Sequence, residues 1–451
     1  MVEQQPIGPG SSADRRIRWL FLRTTAALLL LAPTAAVVAA APALQLEKSV
    51  LFMRHGVRSP NQTPEELASA ATRPWPQWPV DAGELTDHGA ALIGILGGYY
   101  RQQYASAGLL PARGCPAPGS VAVWADNSAR RIPLSAQALL DGMFPGCGLK
   151  TADKPPASGV PFPRPIDACP ISAPKARAAI LSAAHGDVDR AAQSVHAGLR
   201  RMQAIVQVRI GVNCLDNMPS CGLDGMANAI EDGETPRLEG GLKLATTIGE
   251  NFYLEYVEGM PQRDVAWGEA ATPEALAPLL GPRNLYLRLL HQKPYLASHE
   301  VTPLVRDMLA ALEEGAVTPV NAGTPPQTAR VVAFVGRDIH LASLAGLLGL
   351  EWTLPDQPDN NPPGATLAFE RLRDPADGKR YVRAVLYYQT LQQMRAAATL
   401  DLAHPPGRLE LKIPGCEHDA VAGACPLPVL RERLVAALAP DCTGPVSGAA
   451  H

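Results

Sequence analysis

The chain carries little charge, and neither sign dominates. Asp, Glu, Lys and Arg make up 18% of its 451 residues, and the formal net charge is −3. That balance is too near neutral for a surface built to grip nucleic acid. The sequence has no C-x-x-C pair, and no group of Cys and His has zinc-finger spacing. The strongest signals of a structural metal site are therefore missing. No internal repeat is present. Beyond the first forty-odd residues, no apolar run reaches the roughly 20 residues of a membrane span. What remains is an ordinary globular composition, 47% apolar, in a chain long enough for a large core and two or three domains. Proline is abundant, with 44 residues. Many cluster in stretches such as "PARGCPAPGS" and "DKPPASGVPFPRPIDACP", which read as rigid loops.

The N-terminus reads as a targeting segment. Arg15, Arg16 and Arg18 precede the run "TTAALLLLAPTAAVVAA", and small residues from Ala39 to Ala43 offer an A-x-A-type cleavage site. A charged start, an apolar middle and a small-residue end predict a secretory signal peptide over residues 1–41. Pro33 and the shortness of the apolar stretch argue against a membrane anchor. "DRRIRW" hints at twin-arginine export, although an ordinary basic leader is the better reading. Export to the periplasm or beyond gives a reading for the eight cysteines, Cys115, Cys147, Cys169, Cys214, Cys221, Cys416, Cys425 and Cys442. An even number in an oxidising compartment predicts disulfides. Spacing leaves their pairing open, although Cys214/Cys221 and Cys416/Cys425 are near enough to close small loops.

Along the mature chain, "SVLFM" reads as a buried strand. A tryptophan- and proline-rich loop follows, and then "ALIGILGGYYRQQYASAG" has helical spacing with Gly108 as its stop. "SVAVWAD" is a second strand and "SAQALLDGMFPG" a helix ending near Pro145. From about Ala173 to Ala311 the segments read as helices with no clear strand between them. "ARVVAFVGRD" restores a strand that runs into a polar loop, and "LASLAGLLGL" is a short helix after it. "ATLAFERLRD" and "KRYVRAVLYYQT" alternate like paired strands. This order predicts an α/β sandwich with an inserted α-helical domain. The expected division is residues 42–168 and 312–451 for the α/β part and 169–311 for the insertion. Chemistry in such sheets sits at the carboxyl ends of strands. Three segments place charge there: "SVLFMRHGVR", "SVAVWADNSARR" and "VVAFVGRDIH".

Arg54, His55 and Arg58 set one imidazole between two guanidinium groups. The planar fork of arginine suits phosphate. A positive field favours neutral imidazole over imidazolium, and a neutral imidazole can attack phosphorus. Gly56 is expected to let the backbone turn tightly beside the anion.

"RHGVRSP" resembles the signature of the histidine acid phosphatases, the branch with prostatic acid phosphatase, bacterial phytases and periplasmic glucose-1-phosphatase. "WPQWPV", "LPDQPDNNPPG", "FERLR" and "QTLQQMR" resemble bacterial phytase segments, and "GMPQRDVAWGE" resembles the glucose-1-phosphatase version of its region. The resemblance covers about Leu46 to Cys442. It implies a phosphoglycerate-mutase-like α/β fold and a phosphomonoesterase without metal or cofactor. Its partner is a small phosphate ester, not nucleic acid, and no stable membrane association is expected after signal removal. It implies that His55 accepts the phosphoryl group while Arg54, Arg58 and Arg131 bind it. Arg130 is a weaker candidate than Arg131. It also implies the disulfides Cys115–Cys147, Cys169–Cys442, Cys214–Cys221 and Cys416–Cys425.

The chain departs from the family at one point. Where the family has histidine-aspartate after the "VVAFVG" strand, this chain has Arg337-Asp338. Asp338 matches the acid that protonates the leaving alkoxide, and Arg337 takes the place of a phosphate-binding histidine. Arg337 is expected to press the Asp338 pKa down. A periplasmic phosphate-ester-binding protein with weak turnover is the competing reading. His340 is read as a polar residue at a helix start. Glu250 matches a glutamate that faces the substrate in phytases, with Thr247 one turn earlier on the same face. Gln62 stands where phytases often have a lysine. The pocket reading lies between a phytase and a sugar-phosphate phosphatase. His185, His196, His291 and His299 are expected to play no part, and His88 a structural one.

Overall fold

The computed structural model describes residues 44–152, 169–208, 222–233, 235–313 and 329–442. The leader and the Cys214–Cys221 pair lie outside the described residues. Among these, seven strands form one sheet: β1 (Gln45–Arg54), β2 (Val121–Ala125), β5 (Val331–Gly336), β6 (Thr366–Arg373), β7 (Arg380–Tyr388), β8 (Gly407–Leu411) and the two-residue β9 (Cys425–Pro426). The order is β2-β5-β1-β6-β7-β8, with β9 beside β7. Strands β2, β5 and β1 are mutually parallel, while β6, β7 and β8 run antiparallel.

The apolar run in β1 is continuous because both of its faces are covered. Val50, Leu51, Phe52 and Met53 are all fully buried. Val50 and Phe52 join one core with Trp124, Phe334 and Leu341; Leu51 and Met53 join another with Tyr100, Leu139 and Val335. Helices α1 (Asp87–Ser106) and α2 (Arg131–Met143) form the second face. Helices α7 (Pro294–Leu312) and α8 (Asp338–Leu348) cover the first. A β-strand sends alternate side chains to opposite faces, so one strand holds helices on both sides. The result is the layered α/β fold expected from the alternation of elements.

Helix α1 ends at Ser106, and Gly108 has a left-handed φ of +76°, which agrees with its reading as a stop. Two local readings change. Helix α2 begins at Arg131, so "RIPL" is its first turn, ahead of the start read at "SAQALL". The stretch read as purely helical contains a hairpin, β3 (Asn228–Glu231) with β4 (Arg237–Gly240). Four-residue strands are too short to show a period.

The intervening helices include α3 (Ala173–Ala183), α4 (His196–Val206), α5 (Gly241–Val257) and α6 (Gly281–His291). Helix α5 joins the rest through aromatic packing. Trp75, from the proline-rich loop, stacks on Phe252 at 5.5 Å and donates from Nε1 to the Leu67 carbonyl at 2.8 Å. Disulfides join Cys115 to Cys147, Cys169 to Cys442 and Cys416 to Cys425.

One buried acid sits in this helical layer. Glu255 on α5 is 1% exposed; its Oε2 accepts from the Ala266 N–H at 2.8 Å, and its Oε1 has no partner. Burial pushes its pKa up to about 8 from 4.5. Between those values the folded state holds a proton that the unfolded state has lost, so stability falls as pH rises through the window. Glu255→Gln should remove that loss, on the order of a few kcal/mol at full expression. Denaturant midpoints at pH 5 and pH 8 should separate more in the wild type than in the variant. Equal separations would refute this role.

Candidate active site

The parallel register of β1, β2 and β5 aligns their carboxyl ends. Arg54 pairs with Gly336 and Ala125 with Val335. The next backbone groups extend the ladder: His55 N–H donates to the Gly336 carbonyl and Asp126 N–H to the Val335 carbonyl, each at 2.9 Å. The charged residues that come after the three strands therefore meet at one sheet edge.

His55 is 2% exposed. Its Nδ1 lies 2.8 Å from the Gly56 carbonyl, and its Nε2 lies 3.2 Å from Arg131 Nε. A carbonyl only accepts and a guanidinium only donates. The proton is therefore on Nδ1, and Nε2 presents a lone pair. Burial, with Arg54, Arg131 and Arg58 nearby, holds the His55 pKa well below its usual value. The imidazole is neutral and aims its unprotonated nitrogen at Arg131.

Gly56 acts through close approach, not through a positive φ. A Cβ there would meet the Gly89 carbonyl at 2.7 Å, and one on Gly89 would meet the Val57 carbonyl at 2.1 Å. The start of α1 thus packs directly on the His55 loop. Thr86 caps that helix by accepting from the Gly89 N–H at 2.9 Å, and it donates to Glu258 at 2.7 Å. His88 reaches the Met394 carbonyl at 2.8 Å, a structural contact.

Arg54 is almost wholly buried and bridges acids from three segments, Glu250, Asp359 and, at 3.7 Å, Asp338. Its Nη2 donates to Glu250 Oε1 at 2.9 Å, and its Nη1 donates to Asp359 Oδ2 at 3.2 Å and to the Asn361 carbonyl. Arg58 donates to Glu250 Oε2 at 2.9 Å. Glu250 thus spans the two arginines, one oxygen on each. Although burial opposes ionisation, Arg283, Arg58 and Arg54 bring its pKa down to about 2. Gln62 and Thr247 line the same cleft, whose volume is about 290 Å³. The Thr247 hydroxyl donates back to the Lys243 carbonyl at 3.4 Å. Arg130 lies apart: its side chain is 75% exposed and pairs with Glu84.

Asp338 opens α8 directly, with no polar loop before it, and ionised acid is favoured at a helix N-terminus. It pairs with Arg283 and lies 3.7 Å from Arg54. Against the effect of burial, those two arginines hold its pKa well below the usual carboxylate range. The expectation that Arg337 does this is corrected. Arg337 Nε lies 3.2 Å from the buried Asp126 at the end of β2, while its side chain stays 34% exposed in the cleft wall. His340 turns inward, where its Nδ1 accepts from the Arg337 N–H at 3.3 Å. The cleft-lining residues do not include it.

Arg283 and Asp359 were missed at the sequence level. Arg283 is 2% exposed and donates to Asp359 at 3.2 Å and to Asp338. Asp359 lay in view within "LPDQPDNNPPG", but an arginine in a helix reads as solvent-facing. His291 also lines the cleft. It pairs with Glu300 at 2.7 Å; burial opposes its protonation, but Glu300 raises its pKa. The centre thus sets five guanidinium groups (Arg54, Arg58, Arg131, Arg283, Arg337) against four carboxylates (Asp126, Glu250, Asp338, Asp359). That near balance can accept an anion where an unpaired acid cluster could not.

Among the described residues, no helix is long and apolar enough to cross a membrane, and no group of His, Cys, Asp and Glu is arranged to hold a metal. Known proteins resemble this chain over most of its length. Phytase AppA of Escherichia coli strain K12 is 32% identical over 92% of this chain and 97% of its own. Glucose-1-phosphatase of Providencia rettgeri is 29% identical over 86% and 91%. The Hafnia alvei phytase solved with myo-inositol hexakis sulphate has a TM-score of 0.81 and 34% identity, covering 90% of this chain and all of that one. The description "Histidine phosphatase superfamily (branch 2)" matches residues 45–209 and 266–387, across both the His55 strand and the Asp338 strand. With a family model matching most of its length and a relative 32% identical over 92% of it, the chain belongs to the histidine phosphatase superfamily, branch 2, as an enzyme of the histidine acid phosphatase type.

Proposed function

We propose that the chain is an exported hydrolase of phosphate monoesters that works through a phosphohistidine on His55. The observation that carries this is the tautomer of His55, with a bare Nε2 among the arginines. In the first step the Nε2 lone pair attacks phosphorus. The bond from phosphorus to the ester oxygen breaks, and Asp338, which has taken up the proton that the ester monoanion brings in, passes it to the leaving alkoxide. In the second step water attacks the phosphohistidine and gives a proton back to Asp338. The P–N bond breaks, and Nε2 recovers its lone pair. Arg54, Arg58, Arg131 and Arg337 hold the phosphoryl oxygens and offset their charge in both transition states. Arg283 orients Asp338 and is a positioning residue.

The substrate class is an inositol phosphate or a sugar phosphate, as the names of the phytase and glucose-1-phosphatase relatives support. Residues 1–41 are assigned to the leader, 169–311 to an inserted substrate-side domain, and the mature protein to the periplasm or the exterior.

The test is phosphate release by the oxidised mature protein between about pH 2.5 and 7. Inositol hexakisphosphate, glucose 1-phosphate and p-nitrophenyl phosphate serve as substrates. Turnover is expected on all three, with the preferred ester naming the enzyme. Tight binding without release on any of them would leave a binding protein instead.

A further inference from the structure

The cleft holds one more cation than the reacting phosphate needs. Most of its basic groups are already matched. Arg58 faces Glu250, Arg283 faces Asp338 and Asp359, Arg337 faces Asp126, and His291 faces Glu300. Among the described residues lining the cleft, two cations have no carboxylate partner within ion-pair distance. One is Arg131, spent on His55. The other is Lys243, whose ammonium lies 5.2 Å from the centre of the Tyr286 ring.

Lys243, Thr247 and Glu250 lie on one face of α5, at spacings of four and three residues. Seven residues of helix rise about 10 Å. Glu250 touches the arginines at the reacting phosphate, so the Lys243 backbone stands about that far from it along the helix. Tyr286, from α6, completes the outer wall. Burial and the Glu239 carboxylate, opposed by Arg237, push its pKa up to about 12, so its hydroxyl remains a donor. An ammonium and a phenol donor on two residues that line one wall of the cleft suit an anionic oxygen cluster.

Building on the function proposed above, we infer that Lys243 and Tyr286 form a second anion subsite. It takes a non-reacting phosphate carried across the substrate's carbon skeleton from the reacting one. The favoured substrates are then esters with two or more phosphates, and glucose 1-phosphate leaves the subsite empty. The charge absent at Gln62 is supplied from the helical wall.

The test pairs Lys243→Met, which keeps the stem, with Lys243→Arg, which keeps the charge. Two readouts are used: calorimetric binding of myo-inositol hexakissulfate, and the ratio of kcat/KM for inositol hexakisphosphate to that for p-nitrophenyl phosphate. Lys243→Met should weaken the hexakissulfate about tenfold and lower the ratio by about the same factor, as for loss of one charge-assisted contact. Lys243→Arg should restore most of both. An unchanged ratio together with unchanged binding would overturn the subsite while leaving the phosphatase reading intact. Lys243-dependent binding without turnover on any ester would support the subsite and overturn the phosphatase reading.

Discussion

His55→Ala is expected to lower phosphate release on the order of 10⁴-fold or more, on every substrate alike. On the proposed mechanism the alanine removes the atom to which phosphorus bonds, so no choice of leaving group can compensate. The arginines remain and should still bind the ester. The loss should therefore appear in kcat, with substrate binding kept. The fold should survive, because the backbone N–H of residue 55 makes the bond to Gly336 whatever its side chain. A second readout is chemical. Acid-labile phosphate trapped on the wild-type protein during turnover should vanish in the variant. A kcat within about a hundredfold of wild type would remove His55 from the nucleophile's role.

The second large effect concerns Asp338 and depends on the leaving group. Asp338→Asn keeps the shape and one acceptor but has no proton to give. Loss on the order of 10²–10⁴-fold is expected for inositol and sugar esters, whose alkoxides leave poorly. p-Nitrophenyl phosphate should lose far less, since its phenolate leaves unprotonated. Equal losses on both kinds of ester would contradict proton donation by this residue. Arg54 and Arg283 hold Asp338 ionised in the free site despite its burial. The reacting proton must therefore enter with the substrate. A phosphate monoester sheds its last proton at about pH 6, so wild-type kcat/KM should fall as pH rises past that point. A profile flat from pH 5 to 8 would show that this proton does not limit the reaction.

The Arg337 substitution looks different once the fold is known. An arginine beside the acid threatened to hold that acid ionised. In the structure Asp126 takes the Arg337 Nε, and Arg283 acts on Asp338 instead. The departure from the family pattern is thereby matched by a buried carboxylate on the neighbouring strand.

The sequence alone determined the strands and the charged residues at their ends. "SVLFM", "SVAVWAD" and "VVAFVG" are short and apolar, and each runs into charge. Strand character and the R-H-G-x-R-x-P string are local properties, legible within ten residues. Arg131, Glu250 and Asp338 were reached through the resemblance of their segments to those of the histidine acid phosphatases. Arg283, Asp359 and Lys243 were not. Arg283 reaches Asp338 across 55 residues and Asp359 across 76, and Arg54 reaches Asp359 across 305. No periodicity spans such distances. A helical arginine or lysine has the same local pattern whether it faces water or an active site. Packing α5 and α6 over the sheet edge decided that these side chains face the cleft, and burial then bound arginines and carboxylates into one network.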